Sequence, residues 1–254
     1  MILAVDIGNS NICIGGLDGM KVLFTARMVT RPRCTGDEYT AELKFLLGRL
    51  GVTPEACEGV IVCSVVPDLT KVLADACTRL TGRKAMLVSP ALNTGLTFAV
   101  DEPDRVGRDR IAEATAAAAH YPLPCMTVDL GTATTYNVIS GKKVFLGGFI
   151  VPGVQTSLRA ISAGTAQLPP IAPEPPEHLV GRNTVEALNN GAMFGTAAML
   201  DGLADRVEAE LGQPLTVVAT GGLAPYIMPC CKRKILYDGD LLFKGLALIW
   251  EKNR

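Results

Sequence analysis

The chain of 254 residues has no long hydrophobic run. None approaches the ~20 apolar residues of a membrane span, so no membrane association is expected. The N-terminus lacks a basic region leading into an apolar core, because Asp6 arrives too early, and no secretory leader is expected. Charge of either sign is not in excess. Lys and Arg total 24 against 25 Asp and Glu, for a net charge of −1, with no polybasic block. That balance argues against a nucleic-acid or polyanion binder. Only two histidines occur, and the eight cysteines show no C-x-x-C spacing, so a structural zinc site is not expected. Cys13, Cys63 and Cys125 lie inside apolar strand-like runs, where a thiol behaves as a small hydrophobe. Reduced cysteines in a cytoplasm follow from this usage. A Gly-x4-Gly-Lys-Ser/Thr loop is absent too, so any phosphate must be gripped by other means.

What is present is a chain that can bury a substantial core, at 48% hydrophobic and 19% charged residues. It opens on Val5-Asp6-Ile7-Gly8-Asn9-Ser10-Asn11, flanked by Met1-Ile2-Leu3-Ala4 and Ile12-Cys13-Ile14-Gly15. The pattern reads as strand, tight turn, strand. Gly8 permits a positive φ or the close approach of another group. Asn9, Ser10 and Asn11 offer donors for a phosphate, and Asp6 offers an oxygen to a divalent cation. By itself this is equally an ordinary Gly-Asn turn beside a solvated acid.

Strands at 2–6, 11–16 and 21–30 form a meander. A helix at 35–48, with Asp37 and Glu38 in its first turn, precedes a buried strand at 59–66. A helix at 69–81 and a strand at 85–88 follow, giving βββαβαβ. The Ala-rich stretch at 105–120 is a strong helix former. Tyr121-Pro122-Leu123-Pro124 then breaks the chain, dividing it into domains 1–120 and 121–254.

The second half repeats the first. Val128-Asp129-Leu130-Gly131-Thr132-Ala133-Thr134 echoes Val5-Asp6-Ile7-Gly8-Asn9-Ser10-Asn11, with the two acids 123 residues apart. Strands at 125–129, 134–139 and 143–151 repeat the meander, and a helix is expected around 156–163. A proline-rich loop at 169–176 is expected to be ordered against a surface. The stretch 184–212 is helical, interrupted at Gly191, Gly195 and Gly202. Strands at 215–220 and 235–237 and a closing helix at 241–252 complete βββαβα. Repetition at half the chain length implies two related α/β domains with a cleft between them.

The DxGN hairpin at Asp6, the DxGTAxT hairpin at Asp129 and the late Thr220-Gly221-Gly222 turn resemble the acetate and sugar kinase/Hsp70/actin superfamily. The resemblance implies duplicated RNase H-like (actin-like) βββαβα domains with the active site in the interdomain cleft. Within that superfamily the chain resembles type III pantothenate kinase along nearly its whole length. The match runs through Asp6 to Asn11, Gly107-Arg108-Asp109-Arg110, Asp129 to Thr135, Thr165 to Pro169, Gly181-Arg182-Asn183-Thr184 and Thr220-Gly221-Gly222.

That resemblance implies transfer of the ATP γ-phosphoryl group to the primary hydroxyl of pantothenate, the first step of coenzyme A biosynthesis. It assigns Asp6, Ile7, Gly8, Asn9, Ser10, Asn11, Ile12, Cys13 and Thr132 to ATP. Asp6 would also stand near Mg²⁺ through water, and Asp129 would hold K⁺ or NH₄⁺. Asp109 would be the general base, with Gly107, Arg108, Asp109 and Arg110 binding pantothenate. Thr184 would reach the substrate from the partner subunit of a homodimer, so the active site would lie at the interface.

Read from the residues alone, several of these positions have a second meaning. Asp109 is also an acid favoured by a helix dipole, Arg108 a solvated side chain, and Asn183 or Thr184 a helix N-cap. Val100, where the family often has Tyr, and Asn137, where many members have Asp, depart from the pattern and bear on substrate contacts. Two other functions fit the same fold: a kinase for another small carboxylate-bearing alcohol, and a non-catalytic regulatory relative. Retention of Asp6, Asp109, Asp129 and Thr132 favours activity.

Overall fold

The computed structural model describes residues 1–254. Its first sheet contains β1 (Ile2–Ile7), β2 (Asn11–Asp18), β3 (Lys21–Val29), β4 (Gly59–Ser64) and β5 (Ala85–Leu87), in the order β3-β2-β1-β4-β5. β3, β2 and β1 are antiparallel, whereas β1, β4 and β5 are parallel. Alternation along β1 sends Leu3, Val5 and Ile7 into one core with Val60 and Val62 of β4. Helices α1 (Gly36–Arg49) and α2 (Pro67–Thr81) cover that face through Leu43, Leu47, Leu69 and Leu73.

Thr35 is the cap of α1, not its first residue. Its hydroxyl accepts from Glu38 N, and the Glu38 carboxylate accepts from Thr35 N, a reciprocal capping box. α2 opens on Pro67 and stops at Gly82, whose φ of 69° ends the helix in the left-handed region.

The other face of this sheet receives a helix from late in the chain, which follows the second sheet in sequence. That second sheet runs β11-β10-β7-β8-β9-β6. Here β6 is Thr97–Phe98, β7 Cys125–Leu130, β8 Ala133–Ile139 and β9 Val144–Pro152, with β10 at Thr216–Thr220 and β11 at Leu236–Tyr237. Five of these strands reproduce the first sheet: β9-β8-β7 antiparallel, then β10 and β11 parallel to β7. The expected duplication of an actin-like α/β unit is therefore present. Helices α4 (Val154–Gly164) and α5 (Thr184–Leu211) pack on Met126, Val128, Leu130, Tyr136 and Val138.

Two differences from the expected elements have clear physical causes. The helix α5 is continuous over 28 residues rather than interrupted at its glycines. Each glycine costs about 1 kcal/mol of helix propensity, but Met193, Ala197, Leu200, Ala204 and Val207 bury one side and outweigh that cost. The segment at 97–100, to which the sequence assigns no element, also contributes a strand, Thr97–Phe98. Its strand pairs with β9, and Ala99 N donates to Phe145 O at 2.9 Å.

The remaining helices are α3 (Arg108–His120), the single turn α6 (Ala224–Ile227) and α7 (Leu241–Asn253). Two compact units emerge: 1–96, 101–119 and 240–254 form one, and 97–100 with 120–239 the other. The chain thus crosses between units four times, where a single boundary at 120/121 is the expectation. α7 belongs to the first unit because Gly245 meets the backbone of Ala112 in α3, and Gly15 and Gly59 admit the rings of Phe243 and Trp250. A side chain at Gly245 would have no room there. The proline-rich loop is held at its centre, where Glu174 N donates to Asn189 Oδ1 and Asn189 Nδ2 returns a bond to Glu174 O, both at 3.0 Å.

Candidate active site

The first hairpin joins β1 to β2 by a turn in which Gly8 N donates to Asn11 O at 3.0 Å. Gly8 has no positive φ; it is needed because a Cβ there would stand 3.0 Å from Asn11 O. Ile7 and Ile12 are paired and fully buried, so their side chains anchor the turn. Asn9 and Ser10 are exposed at the tip, with Asn11 and Cys13 half-buried beside them.

Asp6, one residue before the end of β1, lies on the face away from the α1–α2 core, opposite Cys13 on one side and Cys63 on the other. The Cys63 thiol donates a hydrogen bond to Asp6. Burial pushes that thiol well above its ordinary pKa, and the nearby Asp6, Asp109 and Glu113 carboxylates push it further. Cys63 is therefore a neutral donor holding Asp6.

Gly107 accepts from Ile111 N at 3.1 Å and so opens α3. The Asp109 carboxylate folds back over it and accepts from Arg110 N at 2.7 Å. A Cβ on Gly107 would stand 2.5 Å from Asp109 Oδ1, which explains the glycine two residues before the acid. Burial raises the Asp109 pKa, opposed first by the Arg110 N–H and then by the Arg110 guanidinium. Arg110 is itself half-buried and faces both Asp109 and Glu113. Glu113, only 2% exposed, stands one helical turn after Asp109. Its i+4 spacing from Asp109 was the available signal for it in the sequence, as an apolar-side acid in an Ala-rich helix.

Arg108 is half-buried. Its guanidinium donates to Val106 O and Asp104 O and braces the preceding turn. Beside this turn a cleft of ≈ 530 Å³ opens at the carboxyl ends of β4 and β5, lined by Ser64, Thr70, Ser89, Gly107 and Arg108 among others. Ligands of α/β sheets bind in such crevices beyond the strand ends. Asp6, Asp109, Arg110, Glu113 and the cleft all belong to the first unit.

In the second unit Asp129 occupies the position of Asp6. It pairs with Thr135 on β8 and Thr220 on β10. Two glycines make room for its carboxylate: a Cβ on Gly131 would lie 3.2 Å from Oδ2, and one on Gly221 would collide with Oδ1. Gly221 has φ +90°, a conformation that side chains rarely adopt. Thr132 is exposed at the hairpin tip, and open space surrounds Gly222.

Asn137 lies two residues from Thr135 on the same face and is fully buried, donating from Nδ2 to Thr127 Oγ1 at 2.9 Å. It is thus an internal amide of the sheet. Val100 packs 3.6 Å from the position a Cβ would take on Gly147, at the β6–β9 edge.

Asn183, not Thr184, caps α5: its Oδ1 accepts from Glu186 N at 3.0 Å. Thr184 is exposed in the first turn, close in sequence to exposed Leu179, Val180 and Val185.

These features coincide with one protein family. The family model of type III pantothenate kinase matches residues 2–206. A type III pantothenate kinase of Exiguobacterium sibiricum is 40% identical over 254 residues, covering all of both chains. Two solved structures share the fold. A Campylobacter jejuni protein described as a conserved Baf family transcriptional activator superposes with a TM-score of 0.62 at 21% identity, covering 98% of this chain and 97% of its own. A ROK hexokinase from Thermus thermophilus does so at 0.52 and 15%, over 98% and 97%.

Proposed function

This chain belongs to the type III pantothenate kinase family, so it is a kinase that phosphorylates pantothenate in coenzyme A biosynthesis, and we propose that Asp109 is the general base of that reaction. The observation that carries the assignment is the carboxylate folded over Gly107 at the start of α3, whose charge is felt at Cys63 together with that of Asp6.

Phosphoryl transfer needs positioning and charge stabilisation more than covalent help from the protein. Asp109 accepts the proton of the pantothenate primary hydroxyl as that oxygen bonds to the γ-phosphorus. The bond from phosphorus to the β,γ-bridging oxygen breaks and ADP leaves. A raised pKa suits a base whose proton acceptance should not be too unfavourable. Arg110, half-buried between two acids, is the candidate partner for the pantothenate carboxylate, which a guanidinium binds in a fork. The cleft beside Gly107 and Arg108 is large enough for a small acid of this kind.

Residues 6–13 and Thr132 take ATP. Asp6, a single half-exposed carboxylate, suits Mg²⁺, which keeps several waters and uses one or two carboxylates with substrate phosphates. Bound there, Mg²⁺ offsets phosphate charge. Asp129, a carboxylate with backbone packed on both sides of it, suits K⁺ or NH₄⁺.

Thr184 serves the site of a second copy in a homodimer. Its exposure, with Leu179 and Val180 at 68% and 75% exposed beside it, supports a contact surface there. Eight free cysteines support residence in a reducing cytoplasm, and no helix is long and apolar enough to cross a membrane.

The test is ADP release by the purified chain with Mg-ATP, K⁺ or NH₄⁺, and pantothenate. Pantothenate-dependent turnover is expected. ADP release that ignores pantothenate but responds to another small hydroxy acid would reassign the acceptor.

A further inference from the structure

Each phosphate hairpin is held by a threonine that lies outside it. In the first, Thr30 follows the end of β3, and its hydroxyl donates to Gly8 O at 2.6 Å. Its backbone N–H donates to Ser10 O at 3.1 Å. In the second, Thr156 in the first turn of α4 donates its hydroxyl to Thr132 O at 2.6 Å, and Gly153 N donates to the same oxygen at 3.1 Å. Both threonines follow the third strand of their meander, β3 or β9, so the device is repeated with the fold.

We propose that Thr30 and Thr156 are positioning residues that aim the hairpin N–H groups at the phosphates of ATP. The inference rests on reading the two hairpins as nucleotide-binding. A peptide carbonyl oxygen carries partial negative charge and repels a phosphate. In a trans peptide the C=O and the following N–H point in opposite directions. Drawing Gly8 O toward Thr30 therefore turns Asn9 N–H the other way. Thr30 is 8% exposed, whereas Asn9 and Ser10 are exposed. The carbonyl is drawn inward and the N–H faces outward, where an anion arrives. At the second hairpin, holding Thr132 O turns Ala133 N–H away from α4. Gly153 permits this close packing, since a Cβ on it would collide with Gly131 O.

The test uses the full chain and MgATP as probe, read by calorimetric titration without pantothenate and by steady-state kinetics with it. Thr30→Val keeps the shape of the side chain and removes the donor. It should weaken MgATP binding and raise KM for ATP by roughly two- to tenfold, the span of one lost hydrogen bond. KM for pantothenate should stay within about twofold, and Thr30→Ser should restore ATP affinity. Thr156→Val and Thr156→Ser repeat the comparison at an exposed site and carry the test if Thr30→Val does not fold. Unchanged MgATP affinity in a folded valine variant overturns the inference. So does a parallel rise in both KM values, or a serine variant as impaired as valine. Those outcomes leave ATP binding by the parent chain intact. A parent chain that binds no MgATP removes the hairpin reading and this inference together.

Discussion

Gly107 lies directly beneath the Asp109 carboxylate, with the site of a Cβ only 2.5 Å from Oδ1. The glycine is required by the position of the acid and not by its own backbone, because its φ is ordinary. Gly107→Ala should therefore displace the carboxylate while leaving the fold in place. A shift of this kind costs roughly 10- to 100-fold in kcat, since misplacement by about 1 Å can cost 100-fold. MgATP affinity measured on the same variant should be unchanged.

Asp109→Asn should lower kcat by roughly 10² to 10⁴, the usual contribution of a positioned base. ATP binding should survive; its loss in a folded variant would give Asp109 a nucleotide role. Burial raises the pKa in the folded state. The unfolded chain then releases its proton first, so stability falls as pH rises from the unfolded to the folded pKa. Above the folded pKa that penalty is fully present, and Asp109→Asn should raise Tm there. The acid limb of kcat/KM should lie above the pH range of an ordinary aspartate.

Asp129→Asn removes the charge cradled by Gly131 and Gly221. The rate should lose its dependence on K⁺ concentration and fall by roughly tenfold or more, as expected when charge stabilisation of a phosphoryl group is weakened. A variant that still responds to K⁺ as the parent does would place the cation elsewhere.

Mixed dimers test whether sites are shared. Asp109→Asn and Thr184→Ala chains should each be impaired alone. When subunits exchange, the mixed dimer pairs one doubly altered site with one unaltered site, and activity should return to about half the parental level per dimer. Confirmed exchange without recovered activity would show that Asp109 and Thr184 serve the same site from one chain.

Arg233 ties the end of α5 to the 231–235 segment. It donates to both Glu208 oxygens, at 3.0 and 2.7 Å, and to Asp205 at 2.8 Å. The Arg233 bonds, with a further bond from Leu215 N, pull the Glu208 pKa down to about 2. Its stabilisation is present above the ordinary glutamate value of 4.5 and fades as pH falls toward 2. Arg233→Leu should cost about 1.5–3 kcal/mol at neutral pH, the range for bonds to charged groups. Its unfolding free energy should then depend less on acid.

The duplicated topology and the two acid-bearing hairpins are legible in the sequence, because apolar alternation, turn residues and an internal repeat are local or self-referential signals. The bodies of α1 and α2 are nearly as plain, but not their starts, since Thr35 caps α1 and Pro67 opens α2. The glycines of α5 misled, since propensity argues for breaks and only packing against Met193 and Leu200 overrides it. Strand β6 was not legible at two residues long. It exists because Thr97 and Ala99 find partners on Lys143 and Phe145, far along the chain.

The same division runs through the site. The residue types themselves placed Asp6, Asp109 and Asp129 near the ends of a strand or helix, each two residues from a glycine, and the kinase family came from the resemblance of six such motifs in order along the chain. Tertiary structure alone decided which groups surround them. Cys63 meets Asp6 because β4 lies parallel to β1 in a particular register, and Glu113 joins them because α3 packs tightly where Gly245 admits it. Thr30 and Thr156 reach the turns because each meander returns its third strand toward its first turn. Such contacts depend on register and helix placement, which follow from the summed burial of many side chains and from no local motif.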